Sequence, residues 1–400
     1  MAGADSQRHT HHARKARFLT RTIKRRTLLA SLASSAWAQP APPQLWDPAA
    51  PLPKAADLPE LPGIRFSVIK PFEPERDGGY RFLHGVSLVW HKRKLYASFA
   101  HNKNPENTTG EEARWRVSED AGNSWSPVFD MDKGTPEVAV SHGPFLSRRG
   151  KLWAFLGAFS GVRSNVHTRA YLLDEKRNAW QPRGVILRDG FWPMQEPIPL
   201  RNGNWIMAGF DVGNGEPAAV AISHGDDFTR WQHVVLPRHP ALKTTWGEST
   251  VIVNGNEVWN IARYGAEALA LLSRSSDGGR TWTPMRPASL PMATSTPYAG
   301  TLSTRQRYLI CTTTADTKAQ RAPLTIAVSR PGESLFSKVF RIRNAEHSAG
   351  ESHPGARLAY PYAVEHNGHL YVGYSNSGGR RGNNNSAELA VIPLAALQFS

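Results

Sequence analysis

The chain of 400 residues has almost no cysteine. Cys311 stands alone, which excludes an internal disulfide and any zinc site built from several thiolates. Long apolar runs are missing as well: no stretch reaches the roughly 18 consecutive apolar residues of a membrane span, so none is expected. Charged side chains make up only 20% of the sequence and helical periodicity is scarce, which excludes a coiled coil or a helical array. What the chain does have is 33 Gly, 30 Pro and 13 Trp in a 40% hydrophobic composition. That combination predicts many short elements joined by turns around a large core.

The formal net charge of +15 is unevenly spread. Residues 1–38 carry Arg8, Arg14, Lys15, Arg17, Arg21, Lys24, Arg25 and Arg26 against Asp5, about half of the excess. Arg25-Arg26 precede the mildly apolar Thr27-Leu28-Leu29-Ala30-Ser31-Leu32-Ala33, and Ala36-Trp37-Ala38 forms an A-x-A cleavage pattern before Gln39. Residues 1–38 therefore read as an export signal, with paired arginines of the twin-arginine type, and the mature protein is expected in the periplasm or secreted. His9, His11 and His12 fall in this removable segment and are assigned no metal role. Residues 39–60, rich in Pro and Ala, read as a linker, and 61–400 as one domain. No Lys/Arg block interleaved with stacking aromatics occurs in that domain, which argues against nucleic acid and for an anionic small molecule or glycan as partner.

The sequence repeats. Ser118-Glu119-Asp120-Ala121-Gly122-Asn123-Ser124-Trp125 and Ser275-Ser276-Asp277-Gly278-Gly279-Arg280-Thr281-Trp282 share the pattern Ser-x-Asp-x-Gly-x-Ser/Thr-Trp. Weaker copies end at Trp231 and Phe336, and an eroded turn ends Asn178-Ala179-Trp180. Aromatic residues at 125, 180, 231, 282 and 336 thus recur at the period of a four-stranded propeller blade. In such a turn Asp accepts hydrogen bonds from turn amides, Gly takes a positive φ and Trp packs between sheets. The motif is structural and carries no chemistry by itself. Strand patterning is expected at 85–90, 94–99, 152–155, 205–209, 249–253, 257–262, 308–313, 324–329 and 369–374. Five ladder points plus a C-terminal unit at 357–397 predict an all-β, six-bladed propeller with four-stranded antiparallel blades. A strand near 64–69 is expected to complete the last blade and so remove the exposed sheet edges.

With these repeats, residues 62–397 resemble the sialidase (neuraminidase) superfamily of Asp-box, or BNR-repeat, propellers. Members of that superfamily clamp a substrate carboxylate with three arginines. They use a Tyr nucleophile assisted by a Glu, and an Asp as acid/base. Trp246-Gly247-Glu248-Ser249-Thr250-Val251, followed by Asn260-Ile261-Ala262-Arg263, resembles the segment carrying the glutamate and second arginine. The resemblance thus implies Glu248 and Arg263 in those roles. Arg321-Ala322-Pro323-Leu324-Thr325 resembles the segment of the third arginine, and Ala359-Tyr360-Pro361-Tyr362 the nucleophile strand. It implies Arg321 in the clamp and Tyr360 as nucleophile, with Tyr362 on the same face. The residue types make chemical sense: guanidiniums bind a carboxylate bidentately. A neutral phenol can attack beside an anionic group, and with a pKa of about 10 it needs Glu248 as base.

Two departures stand out. His84, in Phe82-Leu83-His84-Gly85-Val86-Ser87-Leu88, occupies the place of the first arginine, while Arg81 is aimed at the other face of the strand. The acid/base Asp has no counterpart; its loop, 104–112, offers Glu111 or Glu112 instead. Both departures count against sialic acid itself and keep a carbohydrate pocket. Further polar residues expected near the funnel are His101, His142, Glu196 and Trp246, since histidine supplies acid/base groups and Trp faces stack on sugar rings. His84, His101 and His142 have no metal-binding spacing, and neither metal nor cofactor is expected. The expected function is an exported exo-glycoside hydrolase acting as a monomer on a terminal, anionic sugar. The alternatives are a polysaccharide lyase, with His84 and a Tyr abstracting the proton beside a uronate, or a non-catalytic glycan-binding propeller.

Overall fold

Each ladder motif turns the chain between the third and fourth strands of a sheet. The computed structural model describes residues 41–399 apart from 74–78, 214 and 244, so the export-signal segment lies outside the described residues. Among the described residues the strands form six antiparallel sheets. The first blade runs Phe82–His91, Lys94–Asn102, Glu112–Ser118 and Phe129–Asp132, and its Asp box bridges the last two strands. The box at 275–282 does the same between Leu269–Ser275 and Arg286–Pro291 of the fourth blade. The sixth blade runs Leu358–His366, His369–Asn376 and Ser386–Pro393, and takes its outer strand, Arg65–Lys70, from the other end of the chain. This closure explains why the ladder stops at five points: the sixth blade has no turn joining its third and fourth strands.

The boxes are self-contained. The Asp120 carboxylate accepts from Ser118 Oγ (2.8 Å), the Ser124 amide (2.8 Å) and Ser124 Oγ (2.6 Å). Asp277 accepts from Ser275 Oγ (2.8 Å), the Arg280 and Thr281 amides (3.0 Å each) and Thr281 Oγ1 (2.6 Å). Gly122, at φ +83°, leaves space that a Cβ would close to 2.4 Å from Leu389 of the sixth blade, so the turn also seats one blade on the next.

The core lies between blades, where inward strand positions such as Leu88, Phe99, Ile326 and Val372 are fully or nearly fully buried. The stretch read from composition as a linker is joined to these blades: Leu45, Trp46 and Leu58 are buried. The Asp47 amide donates to Phe336 O (2.8 Å), and Glu60 bridges Arg341. Its Pro and Ala content signals a lack of regular structure, which a packed strap shares with a linker. No helix among the described residues is long and apolar enough to cross a membrane.

In every blade the chain runs up the second strand and down the third, so loops joining strands two and three emerge at the end opposite the Asp-box turns. Inner strands begin at that same end, and the side chains of the candidate site gather there.

Candidate active site

A cleft of about 820 Å³, counting its open mouth, is lined by His84, Glu111, His142, Trp246, Glu248 and Arg263 together with Arg321 and Tyr360. These residues come from inner strands and the segments beside them, or from the ends of second strands and the loops that follow, all at the same end of the propeller.

Glu248 lies just before the inner strand Ser249–Asn254, and Arg263 ends the strand paired with it; Ser249 faces Ala262 in register. Arg263 Nη1 donates to Glu248 Oε2 (2.7 Å), as does Thr296 Oγ1 (2.8 Å), while the Tyr360 hydroxyl donates to Glu248 Oε1. Burial alone would raise the Glu248 pKa, but the Arg263 charge and these hydrogen bonds hold it below the usual value. The Tyr360 phenol is pushed above its ordinary value by burial and by the Glu248 carboxylate. A neutral phenol bonded to an ionised carboxylate is the resting state in which the carboxylate can take the phenolic proton.

Tyr360 adopts φ +53°, a conformation that a bulky side chain avoids and that marks strain at the site. The pairing register of its strand shifts between Ala359 and Tyr362. This bulge corrects the expectation that Tyr360 and Tyr362 share a face: Tyr362 instead donates to Glu196 (2.8 Å), which also accepts from Tyr298 (2.8 and 2.7 Å). Glu196 is therefore tied into a tyrosine cluster and does not line the cleft.

Of the two loop carboxyls, Glu111 enters the cleft and Glu112 does not. Consecutive residues at the start of Glu112–Ser118 face opposite sides. Glu112 pairs with Arg114 (2.5 Å) and His101 (3.3 Å), so neither Glu112 nor His101 belongs to the site. Glu111 is only 2% exposed, not a solvated loop acid. Burial, opposed in part by a hydrogen bond with Ser141, pushes its pKa up to about 8, so it is protonated at neutral pH and can donate.

His84 occupies a second register shift, between His84 and Ser87, with its ring centroid 3.8 Å from that of Tyr360. Asn385 Nδ2 donates to His84 Nδ1 (3.1 Å) and to Leu83 O (2.7 Å). An amide nitrogen only donates, so Nδ1 is the acceptor and the ring proton sits on Nε2. Burial, then His142, Arg321, Arg263 and Arg357, hold His84 well below its usual pKa; it is uncharged. Gly85 follows at φ +69°, and a Cβ there would fall 2.1 Å from the His142 ring. His142 is likewise lowered by burial, to about 4, with Ser141 Oγ 3.2 Å from its Nδ1. Among the described residues the Nε2 atoms of both histidines have no hydrogen-bond partner. Arg81 is exposed and outside the cleft.

Arg321 Nη2 donates to Thr294 O (2.9 Å), and among the described residues no carboxylate pairs with it. Arg263 and Arg163 place their guanidinium carbons 5.5 and 5.7 Å from the Trp246 ring. Arg163, ion-paired to Glu216 (3.1 Å), and Glu106, bonded to Asn383 (2.7 Å), line the cleft and were missed from the sequence. Both sit in loops between second and third strands, so placing those loops at the site would have flagged them. Among the described residues no three His, Cys, Asp or Glu side chains are grouped to hold a metal.

The family model for the BNR repeat-like domain matches residues 142–372. The chain belongs to the sialidase/BNR-repeat propeller superfamily. Solved structures similar to this BNR-repeat protein include a Dyadobacter fermentans protein of unknown function, 14% identical over 82% of this chain and 99% of that one, with TM-score 0.62. The Hadza microbial sialidase Hz136 is 14% identical over 83% of this chain and 69% of that one, TM-score 0.64. The NanB sialidase of Streptococcus pneumoniae is 10% identical over 80% and 69%, TM-score 0.62. At these identities the likeness establishes the fold of the BNR-repeat protein. No curated protein matches its sequence.

Proposed function

We propose that the protein is an exported exo-glycoside hydrolase of sialidase-like mechanism acting on a terminal, anionic sugar. The observation that carries this reading is the Tyr360–Glu248–Arg263 chain of hydrogen bonds at the floor of the cleft. Arg321 and Arg263 hold the sugar carboxylate. Tyr360 Oη attacks the anomeric carbon while Glu248 takes the phenolic proton, and Glu111 gives its proton to the departing glycosidic oxygen. A water deprotonated by Glu111 then attacks the same carbon, the bond to Tyr360 breaks and Glu248 returns the proton to the phenol. Arg263, by pairing with Glu248, keeps that carboxylate ionised in the resting enzyme, ready to take the phenolic proton. Sialidases among the structural neighbours support the substrate class.

One observation favours a second reading. An uncharged His84 in ring contact with Tyr360 suits a lyase that removes the proton beside a uronate carboxylate neutralised by Arg321.

The deciding experiment incubates the purified protein with terminal sialosides and with uronate-containing oligosaccharides. Release of a reducing sugar, lost in Tyr360→Phe, supports hydrolysis. An unsaturated product absorbing in the ultraviolet supports the lyase, and binding without either product overturns both. Export is tested by mass spectrometry of the envelope fraction, where a mature chain beginning near Gln39 is expected.

A further inference from the structure

The cleft does not end at Arg321. A second groove, between the fifth and sixth blades, is lined by Gln320, Arg321, Asn344, Pro354 and Arg357, and Arg321 forms part of both walls. Arg357 Nη2 donates to the carbonyls of Arg380 and Gly382, and Arg321 to that of Thr294. Among the described residues no carboxylate pairs with either guanidinium, although the other arginines at this end have acids: Arg263 has Glu248, Arg163 has Glu216 and Arg380 has Glu351. The groove's own acid, Glu346, is exposed and pairs with neither arginine. Arg357 is half-buried, and burial followed by repulsion from Arg321 lowers its pKa. Glu106, bonded to Asn383 beside Gly382, offsets part of that repulsion without pairing with Arg357. Two like charges held at one groove with no carboxylate of the described residues paired to either form a site that an anion stabilises. A guanidinium's planar fork suits carboxylate and sulfate oxygens.

We propose that the groove around Arg321 and Arg357 is a second subsite that binds an acidic group, carboxylate or sulfate, on the residue next to the terminal sugar of the same glycan. This rests on the reading of the cleft as a sugar pocket. The substrate class becomes a glycan with acidic groups on consecutive residues, and Arg357 sets that preference without lining the cleft itself.

Calorimetry in the Tyr360→Phe background, where the proposed turnover is blocked, with two probes that share a terminal sugar tests it: the disaccharide of two sialic acids, and sialyllactose, whose second sugar is neutral. The expected result is a preference of about threefold to tenfold for the doubly acidic probe, since one partly exposed charged pair is at stake. The preference should vanish in Arg357→Gln and return in part in Arg357→Lys, with unchanged melting. Equal binding of the two probes, or a preference that survives Arg357→Gln, overturns the subsite and leaves the sugar pocket standing. If neither probe binds, the sugar reading of the cleft fails for sialosides and a heparin tetrasaccharide judges the groove alone. Its affinity must then fall in Arg357→Gln and hold in the exposed control Arg183→Gln, and equal behaviour of the two variants overturns the proposal.

Discussion

At the Asp-box end of the propeller, each boxed aspartate finds its partners within four residues of itself. At the opposite end, Tyr360 reaches 112 residues back to Glu248, and His84 is held by Asn385, 301 residues away. The Asp-box carboxylates are near the surface, saturated with hydrogen bonds and pushed down to about 2 by them. The cleft instead buries groups whose pKa values are moved apart: Glu248 down, Glu111 up to about 8, and His84 and His142 down. Local, complete hydrogen bonding holds a turn in one shape and leaves nothing for a ligand. Burial of unlike titratable groups, with nitrogens that have no partner and one guanidinium that has no carboxylate among the described residues, costs stability locally and is the pattern expected of a ligand site.

The sharpest way to break this contrast is at Tyr360. Tyr360→Phe should lower turnover about 10³-fold or more while leaving melting close to the parent, because it removes the proposed nucleophile and little contact area. A variant that keeps its turnover would move the chemistry elsewhere. Next in size is Gly85→Ala, which imposes a strained φ and drives a Cβ into the His142 ring. A loss of about 2–4 kcal/mol is expected in denaturant melts.

Glu111 sharpens the contrast through pH. Its folded pKa of about 8 lies above the usual 4.5, so the stability it contributes is full below pH 4.5 and is lost as pH rises through 8. The parent should therefore lose more melting temperature between pH 5 and pH 8 than Glu111→Gln. Turnover by the parent should also fall above about pH 8 as the donor ionises. A flat difference between the two melting curves would mean that Glu111 is not buried as a neutral acid. The smallest effect belongs to the other end. Asp277→Ala should cost about 1–2 kcal/mol, since its amide partners can turn to water, and should change turnover less than twofold.

The departures from the family pattern show where reading by sequence position reaches its limit. His84 was legible as the residue in place of an arginine, but its uncharged state depends on Arg321, Arg263, Arg357 and burial. Glu111 and Glu112 are equivalent in a loop sequence; the alternation of the strand that begins at Glu112 separates them. The pairing of Tyr362 with Glu196 could not be read either, because the bulge at Tyr360 breaks the two-residue periodicity on which shared faces rest.

By itself the sequence determined the repeat. Ser, Asp, Gly and Trp at fixed offsets encode a turn through contacts within a few residues, and five such turns plus a strand from the other terminus specify six blades. The site was decided by tertiary structure. Its residue types are spread from 84 to 360, and their charge states, partners and spacing exist only once ring closure brings the six inner strands to one axis and removes water from between them.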